Sequence, residues 1–287
     1  MSDAPVPPPG LAPTRDVPVT RVAAGGISRT RDIAAAEEPL DVRLHGRSFA
    51  IIMRTPGEDR ALAAGFLLSE RIIRSAADVG AIEHCRHPDQ SRAHHVVDVF
   101  LVGDAAARVP ALLEQRRQVI ANSSCGICGR ATIDELAADV PPLGVTGTIG
   151  LDMIRALPAR LRARQTMFEE TGGLHAAALF SRDGALIRSA EDVGRHNAVD
   201  KVIGSTLLQD RGVESPLSIA TALMVSGRVS FEIVQKAWLG GIEIVAAISA
   251  PTSLAIELAD AAGITLLGFV RESSLNIYTH TARIEGV

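Results

Sequence analysis

Two cysteines, Cys125 and Cys128, stand in the segment Ser123-Ser124-Cys125-Gly126-Ile127-Cys128-Gly129. Cys-x-x-Cys spacing lets one sulfur attack what is bonded to the other, and it equally suits two ligands of a metal. Gly126 and Gly129 make the segment pliable, so the thiols can reach a partner. A helix expected over residues 131–138 would put the sulfurs near its N-terminus, where partial positive charge and Arg130 favour the thiolate. Three readings stay open on the residues alone. One is sulfur relay or redox work, and another is half of a zinc site completed from His84, Cys85, His87, His94 and His95. The third is a thioredoxin-like exchanger. Zinc is disfavoured because no second Cys-x-x-Cys exists, and the exchanger because the flanks are glycine-rich.

A second segment, Glu191-Asp192-Val193-Gly194-Arg195-His196-Asn197-Ala198-Val199-Asp200-Lys201, is the densest in functional chemistry. It joins a strand to a helix, and Gly194 permits an unusual backbone angle. Asp192 suits a helix cap. Arg195 and His196 near the helix start would face a cleft, binding an anion or moving a proton. His175, in Thr171-Gly172-Gly173-Leu174-His175, begins a strand, and a lone histidine there reads first as a satisfied core residue. Zinc deaminases pair H-x-E with a following P-C-x-x-C. Here the triplet is His175-Ala176-Ala177 and the cysteines precede it, which disfavours zinc-dependent deamination.

The elements that must position these groups follow from punctuation and apolar period. Residues 1–35, rich in Pro, Ala and Gly, read as a flexible arm, with order beginning near Leu40. A hairpin is expected around His45-Gly46, and Thr55-Pro56-Gly57-Glu58 reads as a helix start with Thr55 as the cap. Strands are expected near residues 79–84 and 95–102, and helices over 110–118 and 152–170. A hairpin around Arg182-Asp183-Gly184 precedes a helix over 194–208. The C-terminal stretch reads β-α-β-α-β, with strands over 217–225, 242–248 and 264–270. All three are apolar on both faces, as in a buried parallel sheet. Ligands of such sheets bind beyond the strand carboxyl ends. Ser226-Gly227-Arg228, Ser249-Ala250-Pro251-Thr252 and Arg271-Glu272-Ser273-Ser274 should therefore share one rim, suited to a phosphate-bearing ligand.

The chain has 287 residues, 47% hydrophobic and 22% charged, with a formal net charge of -4. That balance fits a globular protein with a core and calls for neither nucleic acid nor an anionic membrane. No run approaches a membrane span, and three cysteines are too few for a disulfide framework, so the cytoplasm is the expected compartment.

Taken together, the cysteine segment, Thr171–His175, Glu191–Lys201, Ser226-Gly227-Arg228, Ser249–Ser253 and Gly268-Phe269-Val270-Arg271 resemble the FdhD family of sulfur carrier proteins. The resemblance implies a cytidine-deaminase-like α/β fold of three layers around a mixed sheet, plus a smaller N-terminal α+β domain. On that basis residues 1–35 form the arm, 36–120 the smaller domain, 121–150 a mobile cysteine loop and linker, and 151–287 the cofactor-binding domain. It further implies a sulfurtransferase that takes persulfide sulfur from a cysteine desulfurase. The sulfur passes to a molybdenum (or tungsten) cofactor bearing two molybdopterin guanine dinucleotides, bound as substrate and destined for formate dehydrogenase. Cys125 would hold the persulfide and Cys128 assist. Phe269, Val270, Arg271, Glu272, Ser273 and Ser274 would contact the cofactor, with Arg228 and Arg271 suited to pyrophosphate and Ser226, Arg195 and His196 nearby. A homodimer is implied. The alternative is a cofactor-binding chaperone whose cysteines are structural or hold zinc.

Overall fold

The computed structural model describes residues 12–84, 94–119, 139–209 and 219–287. Cys85, Cys125, Cys128 and the helix expected over 131–138 lie outside them. Regular structure precedes Leu40, which corrects the expectation that order begins there: β1 (Thr14–Ala23) and β2 (Gly26–Ala35) form an antiparallel ribbon. Its strands lack a continuous apolar face, so no period announces them. Strands β3 (Glu38–Leu44), β4 (Arg47–Arg54), β5 (Val79–His84) and β6 (Val96–Leu101) make a four-stranded sheet in the order β4-β3-β6-β5. His45 and Gly46, at φ 49° and 80°, form the expected two-residue turn between β3 and β4. Helix α1 (Asp59–Ser69) covers this sheet, and α2 (Gly103–Val119) begins earlier than its Pro110 suggested.

After β7 (Ile149–Gly150), the helix expected over 152–170 is two: α3 (Leu151–Arg162) and α4 (Thr166–Thr171). Hairpin β8 (His175–Ser181) and β9 (Leu186–Asp192) leads to α5 (Arg195–Gln209). Then come β10 (Ala220–Val225), α6 (Phe231–Leu239), β11 (Ile244–Ala247), α7 (Ser253–Ala261) and β12 (Thr265–Gly268), followed by β13 (Asn276–Ile277) and β14 (Ile284–Glu285). The six-stranded sheet runs β13-β12-β11-β10-β8-β9, parallel through β10, β11 and β12 and antiparallel at its flanks. Alternate residues enter two cores. Ala177, Leu179, Leu223 and Val245 face α5, α6 and α7, whereas Ala178, Phe180, Met224 and Ala246 face Ile154, Leu157 and Leu161 of α3. The fold is mixed α/β, with helices on both faces of the larger sheet.

The two sheets share one core, which runs from Leu40, Val42 and Leu62 to Val202 and Val234. Its seam is the crossing of α1 and α5. A Cβ on Gly65 would lie 2.0 Å from the Asp200 carbonyl oxygen, and one on Gly204 would lie 2.0 Å from that of Ala61. Nothing but glycine fits at either position. Gly204→Ala should therefore destabilise the fold by about 2–4 kcal/mol in urea unfolding, because backbone must move to admit the methyl group. Gly144→Ala, where a Cβ meets open space, should change stability by less than about 0.5 kcal/mol.

Candidate functional site at the strand-end rim

Parallel strands β10, β11 and β12 end on the same side, and backbone hydrogen bonds bind their following loops together. Val229 N donates to Ala250 O (3.1 Å) and Thr252 N to Val229 O (2.9 Å). Phe269 N donates to Ser249 O (3.2 Å) and Val270 N to Ala247 O (2.9 Å). Thr252 caps α7 by accepting from Ala255 N. Gly268 is enclosed: a Cβ there would lie 2.8 Å from Pro251 Cδ. The chain then turns at Phe269, a non-glycine residue at φ 52° whose ring is 45% exposed at the rim. Such a conformation costs about 1–2 kcal/mol and persists where its surroundings impose it.

The rim holds most of the expected residues, though several have internal duties. Arg228 is exposed, and among the described residues its side chain has no hydrogen-bond or ion-pair partner. Arg271 is exposed but staples two loops: its Nη1 donates to Ile248 O (2.7 Å) and Val270 O (2.8 Å). Glu272, Ser273 and Ser274 form an exposed turn closed by Arg271 N donating to Ser274 O. Ser226 continues the β10–β8 ladder, its N donating to Ala176 O and its Oγ accepting from Ala176 N. Arg195 lies against Gly227, and its Nε is buried without a partner among the described residues. His196 turns away towards α6, where its Nε2 lies 3.0 Å from Ser230 Oγ and 2.9 Å from Glu232 Oε2. Serine and acid share one ring nitrogen, so this is no relay triad. The His196 hydrogen bond holds the Glu232 carboxyl below the usual carboxylate range.

His175, read from sequence first as a core residue, is only half-buried. With Ser226, Ile248, Gly173 and Phe168 it lines a cleft of about 490 Å³, beside Gly227 and Arg195. Burial, then the charges of Arg195 and His196, push its pKa below 6.5. Its position just after Gly172-Gly173, at a strand start, was the available signal.

The acids of the Glu191–Lys201 segment are structural. Asp192 is fully buried, pairs with Lys201 Nζ (2.7 Å), and accepts from Thr55 N, Gly194 N and Asn197 Nδ2. Lys201 Nζ also donates to Thr55 O (2.9 Å) and Glu191 O (3.3 Å). Thr55 is thus committed here, which corrects its reading as the α1 cap; the cap position is Glu58, at φ 56°. Glu191 accepts from Met167 N and Phe168 N at the start of α4, which explains the break after α3. Asp200 is pulled between Ser69 Oγ (2.9 Å) and Lys236 Nζ (2.8 Å).

Of the cysteine segment, only the flanks are described. It leaves α2 at Val119 and returns at Asp139, which pairs with Arg71; Pro141 O then accepts from Trp238 Nε1 (3.0 Å). His84 Nε2 lies 3.9 Å from Asp59 Oδ2 and His95 Nδ1 3.6 Å from Glu38 Oε2, both acids beside the fully buried Arg54. Among the described residues no group of three or more His, Cys, Asp or Glu could hold a metal ion, and no helix is long and apolar enough to cross a membrane.

Two outcomes follow from these contacts. Lys201→Met should cost about 3–5 kcal/mol in thermal or urea unfolding, because it leaves the Asp192 carboxylate buried and unpaired. His175 is neutral in the folded chain where the unfolded chain binds a proton, so its contribution to stability is present above about 6.5 and lost as pH falls through the depressed pKa. Arg195→Gln should raise the His175 pKa in an NMR titration and make that acid-side loss shallower.

A profile of the FdhD/NarQ family matches residues 35–285. The sulfur carrier protein FdhD of Streptomyces coelicolor is 46% identical over 275 residues, covering 93% of this chain and 94% of its own. That of Anaeromyxobacter dehalogenans (strain 2CP-1) is 47% identical over 256 residues, covering 88% and 89%. A crystal structure from Desulfotalea psychrophila, described as a formate dehydrogenase accessory protein, superposes with a TM-score of 0.73 at 23% identity, over 95% of this chain and all of the other. That likeness establishes a shared fold. With the glycine-enclosed rim and the Glu191–Lys201 anchor in place, the sequence matches settle its kinship: the chain belongs to the FdhD/NarQ family.

Proposed function

We propose that this protein carries sulfur for formate dehydrogenase. The observation that carries the reading is identity of 46–47% to sulfur carrier proteins over nearly the whole of both chains. In this reading the Cys125 thiolate attacks the outer sulfur of a cysteine desulfurase persulfide. A new S–S bond forms to Cys125, the old one breaks, and the desulfurase leaves as its thiolate. Cys128 assists as a neighbouring thiol. The recipient is the molybdenum cofactor with two molybdopterin guanine dinucleotides, a substrate held on the rim and passed to formate dehydrogenase.

The rim's chemistry supports that substrate. Exposed Arg228, without a partner among the described residues, offers charge-assisted donors to phosphate oxygens. The start of α6 adds free N–H groups. Phe269 to Ser274 present a ring, backbone and hydroxyls to the dinucleotide. His175, held neutral beside Arg195, can accept a hydrogen bond without adding charge. The same proposal includes sulfurtransferase activity, a homodimer in the cytoplasm, and a cytidine-deaminase-like layering of the larger sheet. Helices on both faces of that sheet support the layering.

Two variants separate the steps. Cys125→Ala should abolish activation of formate dehydrogenase while leaving cofactor binding intact. Arg228→Ala should raise the cofactor Kd about tenfold, as expected for one lost charge-assisted hydrogen bond, with sulfur loading unchanged. If Cys125→Ala supports full activation, the sulfur-carrier reading fails and a cofactor chaperone takes its place.

A further inference from the structure

The cleft beside the rim contains a buried group that the fold leaves idle. Gln165 is 5% exposed and lines the cleft of about 490 Å³. It stands at the cap position of α4, yet its side chain makes no capping hydrogen bond. Glu191 takes that duty instead, accepting from Met167 N and Phe168 N. Only the backbone of Gln165 is engaged: its N donates to Arg162 O (3.1 Å) and its O accepts from Glu169 N (3.0 Å). Among the described residues its side-chain amide has no hydrogen-bond partner. Neither amide atom is among those sealed from the surface, and in a residue so buried the space they reach is the cleft. A carboxamide carries two N–H donors and a carbonyl acceptor, and folded proteins pair the great majority of such buried groups.

The walls around this amide suit a flat ring. Phe168 is half-buried, and the Arg162 guanidinium lies over its ring at 4.9 Å from the centroid, held by Glu169 Oε2 (2.7 Å). Heteroaromatic rings stack on aromatic side chains and on guanidinium planes alike. Gly172 and Gly173 add no side chain, so a ligand can approach bare backbone on that wall, and Gly172 sits at φ 65°. Ile248 contributes apolar surface. The volume falls within the roughly 300–1,000 Å³ of clefts that take small molecules. A carboxamide complements a ring edge that carries a donor next to an acceptor.

We propose that this cleft is a ring-binding subsite in which Gln165 pairs with a lactam edge, N–H beside C=O, of a guanine or pterin ring packed against Phe168. Gln165 Oε1 accepts from the ring N–H, and Nε2 donates to the ring carbonyl. Both rings carry the same edge, and the substrate proposed above contains both, so the inference rests on that reading.

Affinity of the full-length protein for two probes tests it: GDP for guanine and pterin-6-carboxylate for pterin. Gln165→Met keeps the side-chain length and removes both hydrogen-bonding groups. Because the amide has no partner in the fold, the variant should unfold at an unchanged or higher urea concentration. It should raise the Kd of the probe that uses the cleft by about tenfold. Independently of any variant, the Gln165 side-chain NH₂ signals of the wild type should shift in NMR when that probe is added. An effect on GDP alone assigns the cleft to guanine, and an effect on the pterin alone assigns it to pterin; either upholds the subsite. Equal affinity of wild type and variant for both probes overturns it, as do NH₂ signals that stay fixed while the probes bind. A stability loss as large as the loss of binding gives the amide a structural role and overturns it too. A wild type that binds neither probe overturns the subsite, whereas the carrier reading fails only if the whole cofactor also does not bind.

Discussion

Helices α1 and α5 cross with no side chain between them, and most of the architecture depends on that contact. With Gly65 against the Asp200 carbonyl and Gly204 against that of Ala61, the smaller sheet is seated directly on the helices that cover the larger one. The approach brings Ser69 to Asp200 and Asp200 to Lys236. It also delivers Thr55, just ahead of α1, to the Asp192–Lys201 pair at the head of α5. A side chain at the crossing would force backbone apart and leave these buried charges short of partners, a penalty that desolvation makes severe.

The rim inherits its geometry from this arrangement. Asp192 fixes the Gly194 turn, and that turn aims Arg195 at Gly227 and His175. The buried charges are spent on position, while Arg228 and Arg271 stay exposed at the rim and His175 lines its cleft. Arg271 also holds the Ile248 carbonyl with one nitrogen.

What the sequence disclosed depended on how locally each signal is written. The β-α-β-α-β ending was legible because fully buried strands read as apolar runs, and Gly240-Gly241 and Gly263 stop the helices between them. The His45-Gly46 turn was legible for the same local reason. The ribbon was not, since its strands are matched to each other and to little else in the chain. Thr55 looked like a helix cap because its true partner is Asp192, 137 residues away. The density of charge in Glu191–Lys201 was visible, but which members anchor and which face the cleft depends on long-range partners that spacing does not reveal. That His175 is half-buried beside a cleft, and not in the core, was hidden for the same reason. Membership of the family was legible from the order of short motifs, and it carries the functional reading further than the geometry of any one of them.

The central claim is that Cys125 carries sulfur. Intact-protein mass, recorded before and after incubation with a cysteine desulfurase and free cysteine, tests it most directly. The account predicts a reductant-labile gain of about 32 Da per sulfur that maps to Cys125 and disappears in Cys125→Ala. An unchanged mass in the presence of an active desulfurase would contradict it.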